Sequence, residues 1–197
     1  MNGLAKAYVI GIGVEKDEAK AVSLMQKAAA MGDGNSLFSL AVARAAGKYG
    51  LAKNPDEAAN LLRNLAESGT YPPAQSFIGL VIAQREKQIT SEAMAYLDPA
   101  IVKLERLSGQ NSAEAKFMLA INYRLGLGVT KDMAKAFELY RKAAEHNLIP
   151  AMAQAGIALA GGVGTEKNIP EAKKLLERAS AMGSDEADKA LATLWGK

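Results

Sequence analysis

The chain has 197 residues, with 49% apolar and 23% charged side chains, which is enough to bury the core of one domain or two small ones. Its net charge of +3 is spread along the chain and not gathered in one basic stripe, so we expect no nucleic-acid partner. The sequence contains no cysteine and one histidine, His146, which excludes disulfides, thiol nucleophiles, iron–sulfur clusters and multi-histidine metal centres. We expect no metal and no cofactor.

No basic N-terminal region followed by a long apolar run is present, so no secretory signal is visible. The longest uncharged stretch, residues 147–165, contains Pro150, Gly156 and the pair Gly161-Gly162, and it is too broken to span a bilayer. We expect a cytoplasmic location by default, or a periplasmic one if the N-terminus of a longer precursor has been removed.

Helix-start signals recur along the chain in a fixed order. Short polar residues suited to a helix N-cap stand at intervals of 37, 37, 41 and 36 residues: Asp17, Asn54, Ser91, Asp132 and Asn168. A Gly-x-Gly loop precedes three of them, at residues 11–13, 126–128 and 162–164. No strand or Lys-Ser/Thr pair accompanies these loops, so their glycines indicate turns with positive φ and not a phosphate-binding loop.

An apolar stripe with the spacing i, i+3, i+4, i+7, i+8 follows every cap except Ser91. The four stripes start at Ala21, Ala58, Ala136 and Ala172. This spacing predicts amphipathic helices, called B helices here. We expect the B helices to end at residues that tolerate a left-handed conformation: Gly32, Gly69, Gly109, Asn147 and Gly183.

A second helical pattern lies between each of these ends and the next loop, and we call its members A helices. Each contains a core residue followed by a small one: Leu4-Ala5, Leu40-Ala41, Ile78-Gly79, Leu119-Ala120, Ala155-Gly156 and Leu191-Ala192. A small residue once per repeat indicates that two helices approach each other closely.

The combined pattern, A-x-x-x-L-[AG]-x-x-Y-x-x-G-x-G-V-x-x-D-x-x-K-A-x-x-x-Y-x-K-A-A-E, resembles the Sel-one-like repeat (SLR), a relative of the tetratricopeptide repeat. Residues 113–147 match nearly throughout, residues 3–32 match from the middle of helix A onward, and residues 151–183 match with Ala155 and Leu159 in place of the usual Leu and Tyr. Residues 33–69 match loosely. The resemblance implies an all-α, right-handed α-α superhelix, a solenoid of about five helix pairs with no strand.

We expect residues 1–197 to form a single solenoid, with units at approximately 3–32, 33–69, 70–109, 110–147 and 148–183 and a terminal helix at 184–197. The third unit departs furthest from the pattern, because Arg85-Glu86-Lys87-Gln88 replaces the Gly-rich loop. Asp98-Pro99 is expected to interrupt its B helix, with about one extra helical turn. Either the chain is cut from a longer protein or its ends cap themselves.

Residue types that could carry catalysis all have a structural explanation in the repeat. His146 stands at a variable last-turn position, where a cation suits the helix dipole. The acid pairs Asp56-Glu57 and Asp185-Glu186 stand at expected helix starts, where solvated caps are the better interpretation. We therefore expect no catalytic residues.

The relation to tetratricopeptide repeats implies that the A helices line a concave surface. Carried over by repeat position, the residues exposed there are Phe38, Val42 and Ala45 in the second unit; Ser76, Leu80 and Gln84 in the third; Phe117, Ile121 and Arg124 in the fourth; and Ala153 and Ile157 in the fifth. Either these residues form an open apolar groove that binds a partner, or Phe38 and Phe117 fill gaps between neighbouring A helices.

Two function classes follow from the resemblance. The first is a non-catalytic bacterial interaction module, an adaptor, regulator, envelope-assembly factor or immunity-type partner that binds a protein or peptide segment on its concave face. Its candidate contacts are Phe38, Val42, Leu80, Gln84, Phe117, Ile121 and Arg124. The alternative is a β-lactam-hydrolysing enzyme, as associated with disulfide-rich SLR proteins, but those carry paired cysteines and this chain has none.

Overall fold

The computed structural model describes residues 2–110 and 112–196, apart from the side chain of Asn2. Within these residues the chain forms eleven α-helices and no strand, which confirms the all-α class. The helices are α1 (Asn2–Ile10), α2 (Glu18–Ala30), α3 (Gly34–Ala46), α4 (Pro55–Glu67), α5 (Pro72–Glu86), α6 (Ser91–Gly109), α7 (Ala113–Leu125), α8 (Met133–Ala144), α9 (Ile149–Gly161), α10 (Ile169–Ala181) and α11 (Asp185–Trp195).

The chain divides into two compact units, residues 1–100 and residues 101–197, with the boundary inside α6. In each unit the helices pack in the order of the chain: α1 to α5 each pack on the next, and so do α7 to α11. The predicted sequential packing of helix pairs is confirmed. The assignment of residues 1–197 to a single solenoid stays a prediction.

Four predicted N-caps are confirmed. The side chains of Asp17, Asn54, Asp132 and Asn168 each accept a hydrogen bond from the backbone N–H three residues later, at 2.8 to 3.1 Å. The backbone amide of each cap also donates to a carbonyl in the last turns of the preceding A helix, as Asp132 does to Tyr123 at 2.9 Å. The cap residue therefore begins the B helix and closes the loop before it.

The glycines of the Gly-rich loops provide the predicted positive φ, for example 73° at Gly126 and 67° at Gly162. The predicted left-handed B-helix ends are also found at four sites, Gly32, Gly69, Asn147 and Gly183. The fifth, Gly109, is wrong: it is the last residue of α6 and its φ is not positive.

The B helix of the third unit also differs from the prediction. Helix α6 runs unbroken through Pro99 and has 19 residues, so the extra length is confirmed and the interruption is wrong. A proline inside a helix removes one backbone hydrogen bond, and the rest of the helix continues around it. The cap is Thr90 and not Ser91, because the Thr90 hydroxyl accepts from the amide of Ala93 at 3.2 Å.

The small A-helix residues lie where a B helix approaches closely. A Cβ added at Gly79 would lie 2.6 Å from Leu97 Cγ, and one added at Gly156 would lie 2.7 Å from Leu176 Cγ. Ala5, Ala41 and Ala120 are fully buried.

The pattern changes in the first and last helices. Leu4 of α1 was expected in the core but is 47% exposed, and Ala192 of α11 is exposed. Leu40, the counterpart of Leu4, packs on α1 and α2, the pair that precedes it. No described helix precedes α1 or follows α11, so neither Leu4 nor Ala192 has the neighbour that covers its counterparts.

Candidate functional site

The strongest candidate site in the second unit is one face of α7, made by Phe117, Ile121 and Arg124. Their spacing of four and three residues places them along one side of the helix. All three are partly buried, and Phe117 packs against the core of this unit, whose members include Met152 and Leu176. The prediction of a partly accessible apolar face with one cation stands on this geometry as a hypothesis.

Tyr140, on α8, connects the two ends of this face. Its ring lies 5.6 Å from the ring of Phe117, tilted by 52°, and its hydroxyl accepts a hydrogen bond from Arg124 Nε at 3.1 Å. Tyr140 is only 2% exposed, and burial raises the pKa of its phenol above the usual value of 10.0, although the nearby Arg124 lowers it. The phenol therefore stays neutral and fixes the orientation of the guanidinium.

Helices α9 and α11 contribute polar groups near Tyr140. The side-chain amide of Gln154 donates to the Glu186 carboxylate at 2.7 Å, and the charge of Glu186 also raises the pKa of Tyr140. Ile157 is partly buried and packs against the same core as Phe117. The positive charge of Arg124 and the negative charge of Glu186 thus act in opposite directions on the pKa of the buried Tyr140 phenol.

The candidate residues of the first unit surround a cluster of aromatic rings. Phe38 of α3 lies 5.6 Å from the ring of Tyr71 and 6.0 Å, edge-on, from the ring of Phe77 on α5. The Tyr71 hydroxyl donates to Asn35 at 2.8 Å. Phe38 therefore joins two A helices, as the gap-filling alternative expected, and it remains partly accessible.

The other residues predicted on this first-unit face differ in exposure. Val42 is 40% exposed, Gln84 is exposed and Leu80 is partly buried. The expectation of an exposed position is wrong for Ser76, and in the second unit for Ala153, because both are fully buried. In this chain their repeat position faces the core, whereas Phe38 and Phe117 at the same position are large enough to reach the surface.

Sequence reasoning missed the polar partners of the face. Tyr140 was interpreted as one more member of an apolar stripe, Glu186 as part of a solvated helix start, and Gln154 carried no motif. The one available signal was chemical: a tyrosine in a stripe of buried residues needs a hydrogen-bond partner for its hydroxyl. The separation of Arg124 and Tyr140 along the chain does not identify that partner.

Groups with other possible chemistry lie apart from these faces. His146 is exposed beyond the end of α8. Among the described residues no group of three or more histidine, aspartate or glutamate side chains is arranged to hold a metal ion. An open depression around the α1–α2 loop is lined mostly by charged residues, of which Lys16 and Glu18 form an ion pair at 3.0 Å. No helix in the described part of the chain is long and apolar enough to cross a membrane.

Solved structures similar to this chain include those of three bacterial proteins. The Sel1 repeat protein from Oxalobacter formigenes is 26% identical with a TM-score of 0.50, and the match covers 100% of this chain and 77% of that one. The protective antigen c5321 of uropathogenic Escherichia coli strains, described as displaying an SLR fold, is 23% identical with a TM-score of 0.44, over 98% of this chain and 48% of that one. Helicobacter pylori cysteine rich protein B is 25% identical with a TM-score of 0.43, over 69% of this chain and 93% of that one.

No curated protein matches the chain in sequence. The model of the Sel1 repeat family, in contrast, matches it four times, at residues 1–33, 35–70, 113–148 and 149–184. The unmatched segment between the second and third matches contains α5, α6 and the loop where the glycines are replaced. These matches cover most of the sequence, and the chain belongs to the Sel1 repeat family.

Proposed function

We propose that this protein is a non-catalytic interaction module that binds a segment of a partner protein on the faces of its A helices. The candidate contacts are Phe38, Val42, Leu80 and Gln84 in the first unit and Phe117, Ile121 and Arg124 in the second. An adaptor, a regulator or an immunity-type partner would each use such a surface.

The observation that carries this proposal is the composition of the α7 face. It combines a large aromatic residue, an aliphatic residue and an arginine. All three are partly buried, so their side chains are held by the protein and remain accessible to a partner. Aromatic and arginine side chains that lose water on binding supply much of the affinity of protein interfaces. A buried tyrosine holds the arginine in place, which lowers the entropy lost when a partner binds.

The residue chemistry favours binding over catalysis. An acyl-transfer or hydrolytic site needs a nucleophile within hydrogen-bond reach of a base. Among the described residues the one histidine lies outside both faces, and the acidic side chains at Asp17 and Asp132 are engaged as helix caps. Nothing in the structure favours β-lactam hydrolysis, and a chromogenic β-lactam assay on purified protein provides a direct check, since turnover would support the enzyme class.

The binding surface is best tested by photo-crosslinking with a matched pair of valine positions. A photoreactive amino acid replaces Val42, which is 40% exposed on α3, or Val102, which is 70% exposed on α6 and outside the proposed surface. We expect the same cross-linked partner repeatedly from position 42 and not from position 102. Equal cross-linking at both positions would contradict a specific face.

The partner identified in this way is then purified and titrated against folded variants. Phe117→Ala should weaken binding by roughly 2 kcal/mol or more, which is about thirtyfold in affinity. Lys142→Ala, an exposed residue near the end of α8, should change affinity little. Because Phe117 also packs on Tyr140, melting temperatures are measured for each variant, and native affinity in a folded Phe117→Ala variant would move the site away from α7.

A further inference from the structure

Arg124 occupies a position where the other repeats have small or aliphatic residues. Its counterparts, aligned on the core residue of each A helix, are Val9, Ala45, Ala83 and Ala160. Three of these four are buried, so the position faces the inside of the repeat. Arg124 occupies this inward-facing position but remains partly accessible to solvent. A cation placed there loses part of its hydration, which is unfavourable unless an anion or several acceptors replace the lost water.

The described chain supplies only one acceptor to this guanidinium. Nε donates to the neutral hydroxyl of Tyr140, and no carboxylate of the described residues lies within ion-pair distance of Arg124. The two terminal nitrogens make no hydrogen bond to this part of the protein. Four N–H donors of these nitrogens thus have no acceptor among the described residues, and they form the fork that fits a carboxylate in two parallel hydrogen bonds.

Glu186, whose charge acts on Tyr140, has a hydrogen-bond partner of its own. Its carboxylate accepts a hydrogen bond from the side-chain amide of Gln154. Glu186 and Arg124 both affect the pKa of Tyr140, but no ion pair joins the two described side chains. Arg141, on α8, provides the contrast, because its terminal nitrogens contact Glu138 at 3.1 Å and Glu145 at 3.3 Å. Arg141 therefore has two carboxylate partners, one on its own helix and one at the end of that helix, whereas the described residues provide none for Arg124.

From this geometry we propose that Arg124 binds the free C-terminal carboxylate of a partner chain, with an apolar last side chain packed on Ile121 and Phe117. Ile121 precedes Arg124 by three residues, which is about 4.5 Å along the helix axis, and Phe117 lies a further turn away. A C-terminal residue carries its carboxylate and its side chain on the same Cα, so one residue can reach both the fork and the apolar face. An internal Asp or Glu has its carboxylate at the tip of its only side chain, so the apolar contact would have to come from another residue.

This inference rests on the proposed function and specifies the chemistry of the partner. The simplest alternative is that Arg124 only satisfies the hydroxyl of Tyr140 and binds nothing else. The two cases differ in the response of the Arg124 side chain to a small carboxylate, which nuclear magnetic resonance detects directly at the Nε–Hε group of arginine.

The experiment uses the full chain labelled with ¹⁵N and two matched probes, N-acetyl-leucine and its amide N-acetyl-leucinamide. The Arg124 signal is assigned by its loss in Arg124→Met. We expect a saturable shift of that signal by N-acetyl-leucine, with a dissociation constant on the order of millimolar, and at least tenfold weaker binding of the amide. The Arg141 signal should not shift, since its carboxylate partners are already in place. Glu186→Gln should raise the affinity for N-acetyl-leucine about two- to threefold, because it removes a negative charge from the vicinity of the phenol.

Several outcomes would overturn the inference. Equal shifts with the acid and the amide would show that the carboxylate is not recognised, and no shift at Arg124 would leave the guanidinium with a purely internal role. Parallel shifts of Arg124 and Arg141 would indicate non-specific anion binding. Tighter binding of N-acetyl-glutamate methylamide, which carries only a side-chain carboxylate, would assign the site to an internal acidic residue.

The result also separates this inference from the proposed function. A partner cross-linked at position 42 whose affinity falls with Phe117→Ala, combined with no response of Arg124 to N-acetyl-leucine, would retain the interaction module and reject the carboxylate site. A specific response of Arg124 without such a partner would do the reverse.

Discussion

Helix α9 comes close to α10 at Gly156, and Gly156→Ala tests this approach. The added Cβ would lie 2.7 Å from Leu176 Cγ and 3.1 Å from Leu176 Cδ2, both inside normal van der Waals contact. Leu176 is fully buried, so its side chain has little room to move away. Overpacking of this kind costs about 1–3 kcal/mol. Alanine inside a helix is favoured over glycine by roughly 0.5–1 kcal/mol, so we expect a net destabilisation of about 1 kcal/mol.

The same substitution should be much less destabilising when Leu176 is shortened. In a Leu176→Ala background the contacts with Leu176 Cγ and Cδ2 disappear, while the carbonyl oxygen of Ala172 stays 3.2 Å from the added Cβ. The helix preference of alanine then offsets the remaining crowding, so the effect of Gly156→Ala should lie within about 0.5 kcal/mol of zero. Urea titrations followed by far-ultraviolet circular dichroism give the four stabilities of this cycle. Gly3→Ala is the matched control, because an added Cβ there meets nothing within 4 Å, and it should not depend on Leu176. Equal effects of Gly156→Ala in both backgrounds would refute a close approach of these helices.

Three further substitutions test the packing, the caps and the buried charge. Ala120→Leu adds bulk at a fully buried position and should cost about 1–3 kcal/mol in a denaturant titration. Asn168→Ala removes the cap of α10 and should cost about 1 kcal/mol by the same measurement. Burial lowers the pKa of Lys116 below its usual value of 10.5, the nearby Lys142 lowers it further and Glu145 raises it, so the charged amine is less favourable in the native protein than in the unfolded chain. Lys116→Met should therefore raise the melting temperature at pH 7, and this advantage should shrink as the pH rises towards 10.5, where the amine of the native protein is neutral.

The fold could be predicted to the extent that its determinants are local and repeated. The caps at Asp17, Asn54, Asp132 and Asn168 depend on a side chain and an amide three residues apart, and the sequence pattern contains both. Thr90 shows where this reasoning fails. Thr90 and Ser91 are both suitable caps, and the alignment on repeat spacing selected the second, although the structure uses the first.

The third unit shows a different limit. Pro99 was expected to interrupt α6 because a proline inside a helix loses a hydrogen bond and crowds the preceding turn. The buried residues on either side, Leu97 and Ala100 among them, pack into the protein and keep the helix continuous. Tertiary packing therefore outweighs a local preference that costs a few kcal/mol. The sequence of one helix does not contain the contacts that decide this balance.

The residues of the α7 face could be predicted, but the hydrogen bond that one of them makes could not. Phe117, Ile121 and Arg124 were carried over from the tetratricopeptide-like pattern, and their spacing of four and three residues agrees with one helix face. The hydrogen bond of Arg124 to Tyr140 depends on how far α8 stands from α7 and on how the phenol is oriented between them. Those quantities are properties of the packed helix pair, so they become visible only with the structure.

The pair of Arg124 and Tyr140 is also the place where the repeat departs from its own packing solution. The counterparts of Tyr140 in the other B helices are Met25, Leu62 and Leu176, all buried and without a polar atom that needs a partner. Leucine with a small residue opposite therefore packs this position fully, as Leu176 with Gly156 shows. In the fourth unit the counterpart of Gly156 is still a small residue, Ala120. Tyr140, however, replaces the leucine, and Arg124 replaces the alanine found at Ala160. These two changes add a buried hydroxyl and a partly dehydrated cation, and the one hydrogen bond between them offsets only part of this cost. Packing alone does not account for this pair, whereas the carboxylate that we propose as the ligand of Arg124 would.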